Sequence, residues 1–173
     1  MKKKGSKKGG TRQREVFLVS AEQCDGCGEC VVKCKKTLKR DEPCIQIVKV
    51  GERYVPIVCQ NCQDAPCVTA CMPGCRYKDE KHNRVVTDYK RCVGCWMCIM
   101  LCPFGAIKRI PKKKGVHFGV AQKCDGCLDK AEAACMTVCK VKGLQMTDPH
   151  AYSNEKRKKA ALNYTTIIDG ETE

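Results

Sequence analysis

Short runs of apolar residues recur along the chain, and each lies beside a group of cysteines. The run at residues 15–19 predicts a strand before the first group, and the run at 84–88 predicts a strand before the third. A last run, at 143–147, predicts a strand after the fourth group. Because every run is short, the pattern predicts small secondary-structure elements throughout.

Two pairs of apolar runs predict β-hairpins. Residues 44–50 and 53–58 are joined by Gly51-Glu52 and lead into the second cysteine group. Residues 106–110 and 116–121 form a second such pair and lead into the fourth group.

Helices are predicted at two places. Pro66 follows Asp64-Ala65 as it would at a helix start, which puts Cys67 and Cys71 on one face, four residues apart. Residues 154–162 are mostly polar and predict either a solvated helix or an arm laid along a partner. Together with the hairpins, these segments predict an α+β fold of short helices, hairpins and cysteine-bearing loops.

Sixteen of the eighteen cysteines fall into four groups, each opening with C-x2-C and closing with C-x3-C. In chain order the groups are Cys24, Cys27, Cys30 and Cys34; Cys59, Cys62, Cys67 and Cys71; Cys92, Cys95, Cys98 and Cys102; and Cys124, Cys127, Cys135 and Cys139. Between the second and third cysteine lie two residues in groups one and three, four in group two and seven in group four. Thiolates at such short spacing can close around one cubane iron–sulfur cluster.

The last cysteine of each group is predicted to bind a different cluster from the first three. In two-cluster bacterial ferredoxins the run C-x2-C-x2-C-x3-C-P sends its final cysteine to the other cluster. Group three has this form, since Pro103 follows Cys102. Each group therefore needs a partner group.

An internal repeat indicates which groups are partners. The words Cys24-Asp25-Gly26-Cys27 recur as Cys124-Asp125-Gly126-Cys127, so groups one and four form one unit around groups two and three. This predicts two nested ferredoxin-like modules. Their expected limits are a basic disordered tail at 1–13, an outer module at 14–43 plus 120–147, an inner module at 44–119 and a C-terminal arm at 148–173.

Nesting predicts four sets of ligands, each with three cysteines from one group and one from its partner. Cluster 1 takes Cys24, Cys27, Cys30 and Cys139; cluster 2 takes Cys59, Cys62, Cys67 and Cys102; cluster 3 takes Cys92, Cys95, Cys98 and Cys71; cluster 4 takes Cys124, Cys127, Cys135 and Cys34. Cys44 and Cys75 are left over, and small buried apolar residues are the expected role for both. Service as substitute ligands is the alternative.

Other uses of so many cysteines fit less well. A disulfide scaffold is expected in secreted chains, whereas Met1-Lys2-Lys3-Lys4 is followed by no apolar segment, which predicts a cytoplasmic protein. Zinc sites commonly separate two C-x2-C pairs by roughly a dozen residues or more, a spacing these groups do not have. Group four, with its longer gap, keeps zinc or an altered site as an alternative, which would leave three clusters.

A net charge of +14 would ordinarily favour a nucleic-acid partner, but two features of the chain weaken that prediction. Four cubanes at roughly −2 each would bring the loaded protein to about +6. Seven positive charges also lie in the first fourteen residues, outside the predicted modules. We therefore expect no nucleic-acid partner, although a zinc-stapled basic nucleic-acid-binding protein is the alternative from another class. No apolar run is long enough to span a bilayer, so no direct membrane insertion is expected.

The four groups, in order and spacing, resemble the four-cluster polyferredoxin electron-transfer subunits of anaerobic oxidoreductases. The likeness covers about residues 14–147, and its most specific mark is Cys59-x2-Cys62-x4-Cys67-x3-Cys71. The family includes subunits of dimethyl sulfoxide and nitrate reductases, formate dehydrogenases, hydrogenases, carbon monoxide dehydrogenase and tungsten enzymes such as benzoyl-CoA reductase. This chain departs from it where Met72 follows Cys71 and where lysines follow Cys34 and Cys139.

The resemblance implies a non-catalytic subunit that relays single electrons through four [4Fe–4S] clusters. Its expected partners are a larger catalytic subunit, with a molybdenum- or tungsten-pterin enzyme first and carbon monoxide dehydrogenase or hydrogenase next, and a further redox partner. Because the chain ends without a hydrophobic helix, it is most similar to the soluble small subunits of carbon monoxide dehydrogenase or tungsten enzymes. A free-standing polyferredoxin is the alternative. The sequence has no Ser/His/Asp arrangement and no phosphate-binding loop, so no catalytic site is expected.

Overall fold

The computed structural model describes residues 16–39, 42–110 and 119–168, which form short strands and a few helices. The strands are β1 (Val16–Val19), β2 (Gln46–Val50), β3 (Arg53–Ile57), β4 (Arg76–Asp79), β5 (Arg84–Thr87), β6 (Lys108–Ile110), β7 (Val120–Gln122) and β8 (Leu144–Thr147). The helices are α1 (Glu29–Leu38), α2 (Pro66–Thr69), α3 (Met97–Met100) and α4 (Pro149–Ile168), with a 3-10 turn at Tyr89–Arg91. The predicted mixture of small α and β elements is therefore present.

The described strands pair two by two into four antiparallel sheets. Three are hairpins of neighbouring strands, namely β2 with β3, β4 with β5 and β6 with β7. The fourth joins β1 to β8, with Val16 opposite Thr147 and Val19 opposite Leu144. The first and last described strands thus pair with each other, which joins the two ends of the described strand order.

The two hairpins predicted from the apolar pattern are confirmed in their pairing. Val50 lies opposite Arg53 across the first turn, and Lys108 lies opposite Gln122 in the second hairpin. The second strand of that hairpin is Val120–Gln122, and residues 116–118 of the predicted strand lie outside the described part of the chain. Of the third hairpin, the sequence predicts strand β5 but not strand β4.

The predicted helical placement of Cys71 is wrong. Helix α2 ends at Thr69, and Ala70 caps it with its N–H directed at the carbonyls of Pro66 and Val68. The N–H of Cys71 then turns back to the carbonyl of Val68 at 3.0 Å. Cys71 therefore leaves the helix in a tight turn, whereas Cys67 remains within its first turn.

Cysteines make up much of the buried core, because large apolar side chains are scarce. Ile45, Val58 and Val85 are the largest fully buried side chains among the described residues. One core cluster surrounds Ile45 and Val58 and includes cysteines of groups one, two and four. The other surrounds Val85 and includes cysteines of groups two and three. The fold thus packs mainly around its thiols.

Residues 149–168 form α4, so the helix proposed for the C-terminal arm is confirmed. The carboxylate of Asp148 accepts a hydrogen bond from the N–H of Ala151 at 3.1 Å, which caps the first turn. Among the described residues, neither this helix nor any other is long and apolar enough to cross a membrane.

Candidate metal centre

The cysteines of the four groups differ in their exposure. All eighteen cysteines of the chain lie in the described residues as free thiols, and only Cys27 and Cys95 are exposed. Both are the second cysteine of a C-x2-C-x2-C loop, in groups one and three. In groups two and four the second cysteine, Cys62 or Cys127, is partly buried. The tight loops therefore lie nearer to solvent than the longer ones.

All four loops share one backbone feature. The residue directly before the second cysteine has a positive φ in every group: Gly26 at 75°, Asn61 at 47°, Gly94 at 69° and Gly126 at 75°. Left-handed residues in such turns direct successive backbone N–H groups into one concave surface, which is how backbone binds anionic iron–sulfur clusters. Asn61 is the one non-glycine of the four, and asparagine tolerates this conformation better than most residues.

The third cysteine of three groups occupies the same helical position. Cys30, Cys67 and Cys98 are each the second residue of their helix, α1, α2 and α3. Each of these helices follows a left-handed N-cap residue: Gly28, Ala65 or Trp96. Group four lacks this helix, and Cys127 itself has a φ of 56°. The longer gap of group four thus replaces a helical turn with irregular chain.

The repeated Cys-Asp-Gly-Cys words have the same local structure. The Asp25 carboxylate accepts a hydrogen bond from the N–H of Cys27 at 3.1 Å, and Asp125 does the same for Cys127 at 2.9 Å. These hydrogen bonds from Cys27 hold the pKa of Asp25 below its usual value. The internal repeat is therefore a structural repeat.

Side chains from two of the inner hairpin strands cover the glycines of these loops. A Cβ added at Gly26 would lie 2.7 Å from the ring of Tyr54, and one added at Gly126 would overlap the guanidinium of Arg84. Tyr54 belongs to β3 and Arg84 to β5. Glycine is required at both loops because of the positive φ and because of this close approach.

The surroundings of the buried thiols indicate which cysteines lie close together. Burial raises the pKa of Cys30 to about 11, and further rises come from the thiols of Cys27, Cys139 and Cys24. Burial likewise raises the pKa of Cys135 to about 12, with further rises from Cys34, Cys127 and Cys30. Cys139 thus lies near group one, and Cys34 lies near group four.

The surroundings of Cys67 likewise show that groups two and three lie close together. Burial raises the pKa of Cys67, and nearby Cys59 and Cys102 add to the rise. Cys102 of group three therefore lies near group two. Helices α2 and α3 pack against each other, and the guanidinium of Arg91 donates to the carbonyl of Pro73 at 2.9 Å. These contacts bring the end of group two beside the start of group three.

The two remaining cysteines each contact a fourth cysteine of a group. The Sγ atoms of Cys75 and Cys71 lie 3.2 Å apart, and the N–H of Cys44 donates to Sγ of Cys34 at 3.3 Å. Hydrogen bonding from Cys44 lowers the pKa of Cys34 to about 6. Both extra cysteines are buried, as expected, but their position beside Cys34 and Cys71 was not predicted.

Buried cations among the cysteines also were not predicted. Arg76 and Lys123 are each 2% exposed, and Arg84 is 7% exposed. Taking an ion out of water costs several kcal/mol unless it is compensated by nearby charge and hydrogen bonds. Lys123 directly precedes Cys124, and Arg76 directly follows Cys75, so the sequence placed both beside thiols without indicating their burial.

These features fit [4Fe–4S] clusters. A cubane offers separate irons to its thiolates, so its ligands need not converge on one point. The part of the chain that the structure describes contains no group of three His, Cys, Asp or Glu side chains arranged to hold a single metal ion. Grouped thiols, concave loops of backbone N–H groups and buried cations together suit an anionic cluster.

Comparison with known proteins gives the family. Residues 50–149 match the model of a 4Fe–4S dicluster domain. An iron–sulfur protein of Rhodospirillum rubrum is 30% identical over 166 residues, covering 82% of this chain and 86% of that protein. A thiosulfate reductase electron transfer subunit of Salmonella typhi is 34% identical over 149 residues, covering 75% of this chain and 73% of that protein.

Among solved structures, the active site complex BamBC of benzoyl coenzyme A reductase as isolated aligns with 91% of each chain at 20% identity and a TM-score of 0.43. The domain model alone covers more than half of the chain. The chain therefore belongs to the 4Fe–4S dicluster domain family of iron–sulfur proteins.

Proposed function

We propose that this chain is an electron-transfer subunit that relays single electrons through four [4Fe–4S] clusters. The observation that carries the proposal is the shared loop structure: all four cysteine groups have a left-handed residue before their second cysteine. Similarity to a thiosulfate reductase electron transfer subunit supports it. The family model describes two clusters over residues 50–149, and group one lies before that region, so the number four rests on this chain's own cysteines.

The proposed ligands are the four sets expected from nesting. Proximity of Cys139 to group one, of Cys34 to group four and of Cys102 to group two supports three of the exchanges. The fourth exchange places Cys71 with group three. Burial raises the pKa of Cys75, and the thiols of Cys71 and Cys92 both add to that rise, which supports a position of Cys71 near group three.

Shared packing supports a linear order of clusters, 1–4–2–3, since one core cluster contains Cys30 of cluster 1, Cys124 and Cys135 of cluster 4, and Cys59 of cluster 2. After burial, the thiol of Cys30 in cluster 1 adds to the raised pKa of Cys135 in cluster 4. In the same way, Cys59 of cluster 2 adds to the raised pKa of Cys124 in cluster 4. Clusters 2 and 3 are linked by the packed helices α2 and α3. The exposed thiols, Cys27 and Cys95, then belong to the two ends, where electrons enter and leave.

Two nested ferredoxin-like modules, with the limits given above, remain our proposal for the domain organisation. The pairing of β1 with β8 supports an outer module that unites both ends of the described chain. The hairpin of β6 and β7 crosses the proposed limit between residues 119 and 120, so it links the two modules.

The chain's residues would bind, cover and tune the clusters, and the clusters would supply the one-electron chemistry. Thiolates hold the irons, the left-handed turns direct N–H groups to the cluster sulfurs, and the buried core excludes water. A relay needs an electron source and a sink. We therefore propose a larger catalytic oxidoreductase subunit, with a tungsten or molybdenum enzyme first, a further redox partner, and a cytoplasmic location.

Metal analysis and EPR spectroscopy test the relay. The protein would be purified anaerobically from its source with whatever co-purifies, and iron, zinc, tungsten and molybdenum would be measured. About sixteen irons for this chain, with spectra of interacting reduced cubanes, are expected. About twelve irons with one zinc would instead indicate an altered group-four site, and several zincs with little iron would rule out the relay. Purification without a partner would favour a free-standing polyferredoxin.

A matched pair of cysteines tests the ligand sets. Cys71→Ala should remove the iron of cluster 3, about four irons per chain, because it deletes a proposed ligand. Cys75→Ala, with its Sγ only 3.2 Å away, should leave the iron content unchanged. Equal iron loss in both variants, or loss only with Cys75→Ala, would contradict the assignment of Cys71.

A further inference from the structure

We propose that Arg76 and Lys123 are fixed internal cations that raise the reduction potential of cluster 2 above that of the other clusters. The first electron to enter the protein would then rest in the interior of the chain of clusters. This inference rests on the proposed four-cluster relay and adds the residues that set the order of potentials within it.

Arg76 lies inside the molecule at the start of β4, where it is 2% exposed. Its guanidinium donates to the carbonyl of Ala121 at 2.6 Å and to the hydroxyl of Thr87 at 3.1 Å. The Nε atom is buried without a hydrogen-bond partner. All of the partners are neutral, so the positive charge of this side chain is not offset by them.

Lys123 is buried to the same extent, directly before Cys124. Its ammonium donates to the carbonyls of Val85 and Cys124, which are also neutral. The ion pairs found among the described residues are His82 with Asp79 and Lys108 with Glu42, and neither involves Arg76 or Lys123. Both cations thus lie in the interior without a carboxylate from the described chain.

The carbonyls that hold the two cations belong to the cysteine-rich core. Ala121, which accepts from Arg76, and Val85, which accepts from Lys123, are both buried in the core cluster that includes Cys67.

Both Arg76 and Lys123 lower the pKa of Cys67, opposing the larger rise caused by burial. Arg76 also lowers the pKa of Cys71, both through its charge and through a hydrogen bond that the Cys71 thiol accepts from its backbone. Burial raises the pKa of Cys124, and the charge of Lys123 opposes that rise. Packing places cluster 2 between the two cations. It is the one proposed cluster with buried ligands in both core clusters, Cys67 in the cluster of Val85 and Cys59 in the cluster of Cys124.

Reduction of a cluster adds one negative charge to it. A nearby positive charge stabilises the reduced form more than the oxidised form, and this effect is strongest where water cannot screen it. A guanidinium remains charged even when buried. Arg76 therefore keeps its influence on the potential at any pH at which the protein is folded.

Redox titration of the anaerobically loaded full-length chain, followed by EPR, tests the proposal. Arg76→Gln and Lys123→Met should each lower the equilibrium constant for reduction of the highest-potential cluster at least tenfold, which is 59 mV for one electron. Arg76→Lys and Lys123→Arg keep the charge and should remain near the wild-type potential. Arg53→Gln removes an exposed charge from β3 and should change nothing.

Iron content measured on the same samples separates the possible failures. Wild-type protein with about sixteen irons, and with potentials that Arg76→Gln and Lys123→Met leave unchanged, would overturn this inference while the relay stands. Wild-type protein without reducible cubanes would overturn both. If Arg76→Gln loses iron, Lys123→Met decides the question. Potentials that fall equally in the charge-keeping and charge-removing variants would assign the effect to packing and overturn the proposal.

Discussion

Groups one and three differ from groups two and four in a way that follows from their spacing. The two-residue gap leaves Cys27 and Cys95 exposed, whereas the second cysteines of the other groups are partly buried. The additional gap residues provide cover: Ala65 in group two and Ala133 and Ala134 in group four are buried. In the proposed order of clusters, we refer to clusters 1 and 3 as the edge sites and to clusters 2 and 4 as the central sites.

The comparison teaches that one loop design serves two purposes here. At the edge sites a short loop exposes its second cysteine, so that the proposed cluster would lie close to the surface, within reach of a partner's cofactor. At the central sites the second cysteine is partly buried, and the buried cation Lys123 directly precedes the first cysteine of group four. Since burial and local charge both set the potential of an iron–sulfur cluster, access and tuning are assigned to different sites.

The largest difference in stability between edge and central sites is expected when one cysteine is removed from each kind of site. Cys124→Ala deletes a buried thiol in the core that joins groups one, two and four. It should remove about four irons and also destabilise the whole fold, because it leaves a cavity in that core in addition to the folding free energy lost with the metal. Cys27→Ala should remove a similar amount of iron with a much smaller loss of stability. Iron analysis and the midpoint of unfolding in guanidinium chloride measure both.

Equal destabilisation by the two alanine variants would break the distinction between edge and centre. Cys44→Ala is the control for loss of a buried thiol that is not a proposed ligand, and its iron content should match the wild type.

Alanine at two loop glycines should give an intermediate effect. Gly126 and Gly28 have nearly the same φ, 75° and 77°, so left-handed strain of about 1–2 kcal/mol applies to both. The new Cβ would meet the Arg84 guanidinium at Gly126 but nothing within 4 Å at Gly28. Gly126→Ala should therefore lower the unfolding free energy by about 1–3 kcal/mol more, through overpacking. A difference near zero would mean that Arg84 moves aside freely.

The smallest effect is expected from the two equivalent aspartates. Asp125→Ala removes a half-buried acceptor from the N–H of Cys127 and should cost about 1 kcal/mol of unfolding free energy. Asp25→Ala removes the same hydrogen bond at an exposed loop, where water can replace the carboxylate, and should cost less. Unfolding in guanidinium chloride measures the difference, and a larger cost at Asp25 would reverse our ranking of the two sites.

Much of the hairpin structure could be predicted, because apolar runs lead into the cysteine groups. Strand β4 could not, because Arg76-Tyr77-Lys78-Asp79 has none of the apolar alternation that marks a strand. Its arginine nevertheless points inward, where the guanidinium donates to the carbonyl of Ala121 and the hydroxyl of Thr87. A pattern that assigns charged residues to solvent places Arg76 and Lys123 outside, so the internal charges were missed.

The loop conformations could be predicted only in part. Gly26, Gly94 and Gly126 precede the second cysteine of their groups, and aligning group two with them would have marked Asn61 as left-handed. Ala65 and Trp96 carried no such signal, because neither residue favours a positive φ. Their conformation is imposed by the need to start a helix just before the third cysteine.

The pairing of β1 with β8 has a consequence for biosynthesis. Strand β1 leaves the ribosome long before β8, the strand that completes its sheet, has been translated. The hairpins between them can form as soon as each is synthesised, because their strands are neighbours in sequence. The sheet of β1 and β8 can therefore form only after all three hairpins between these strands have been synthesised.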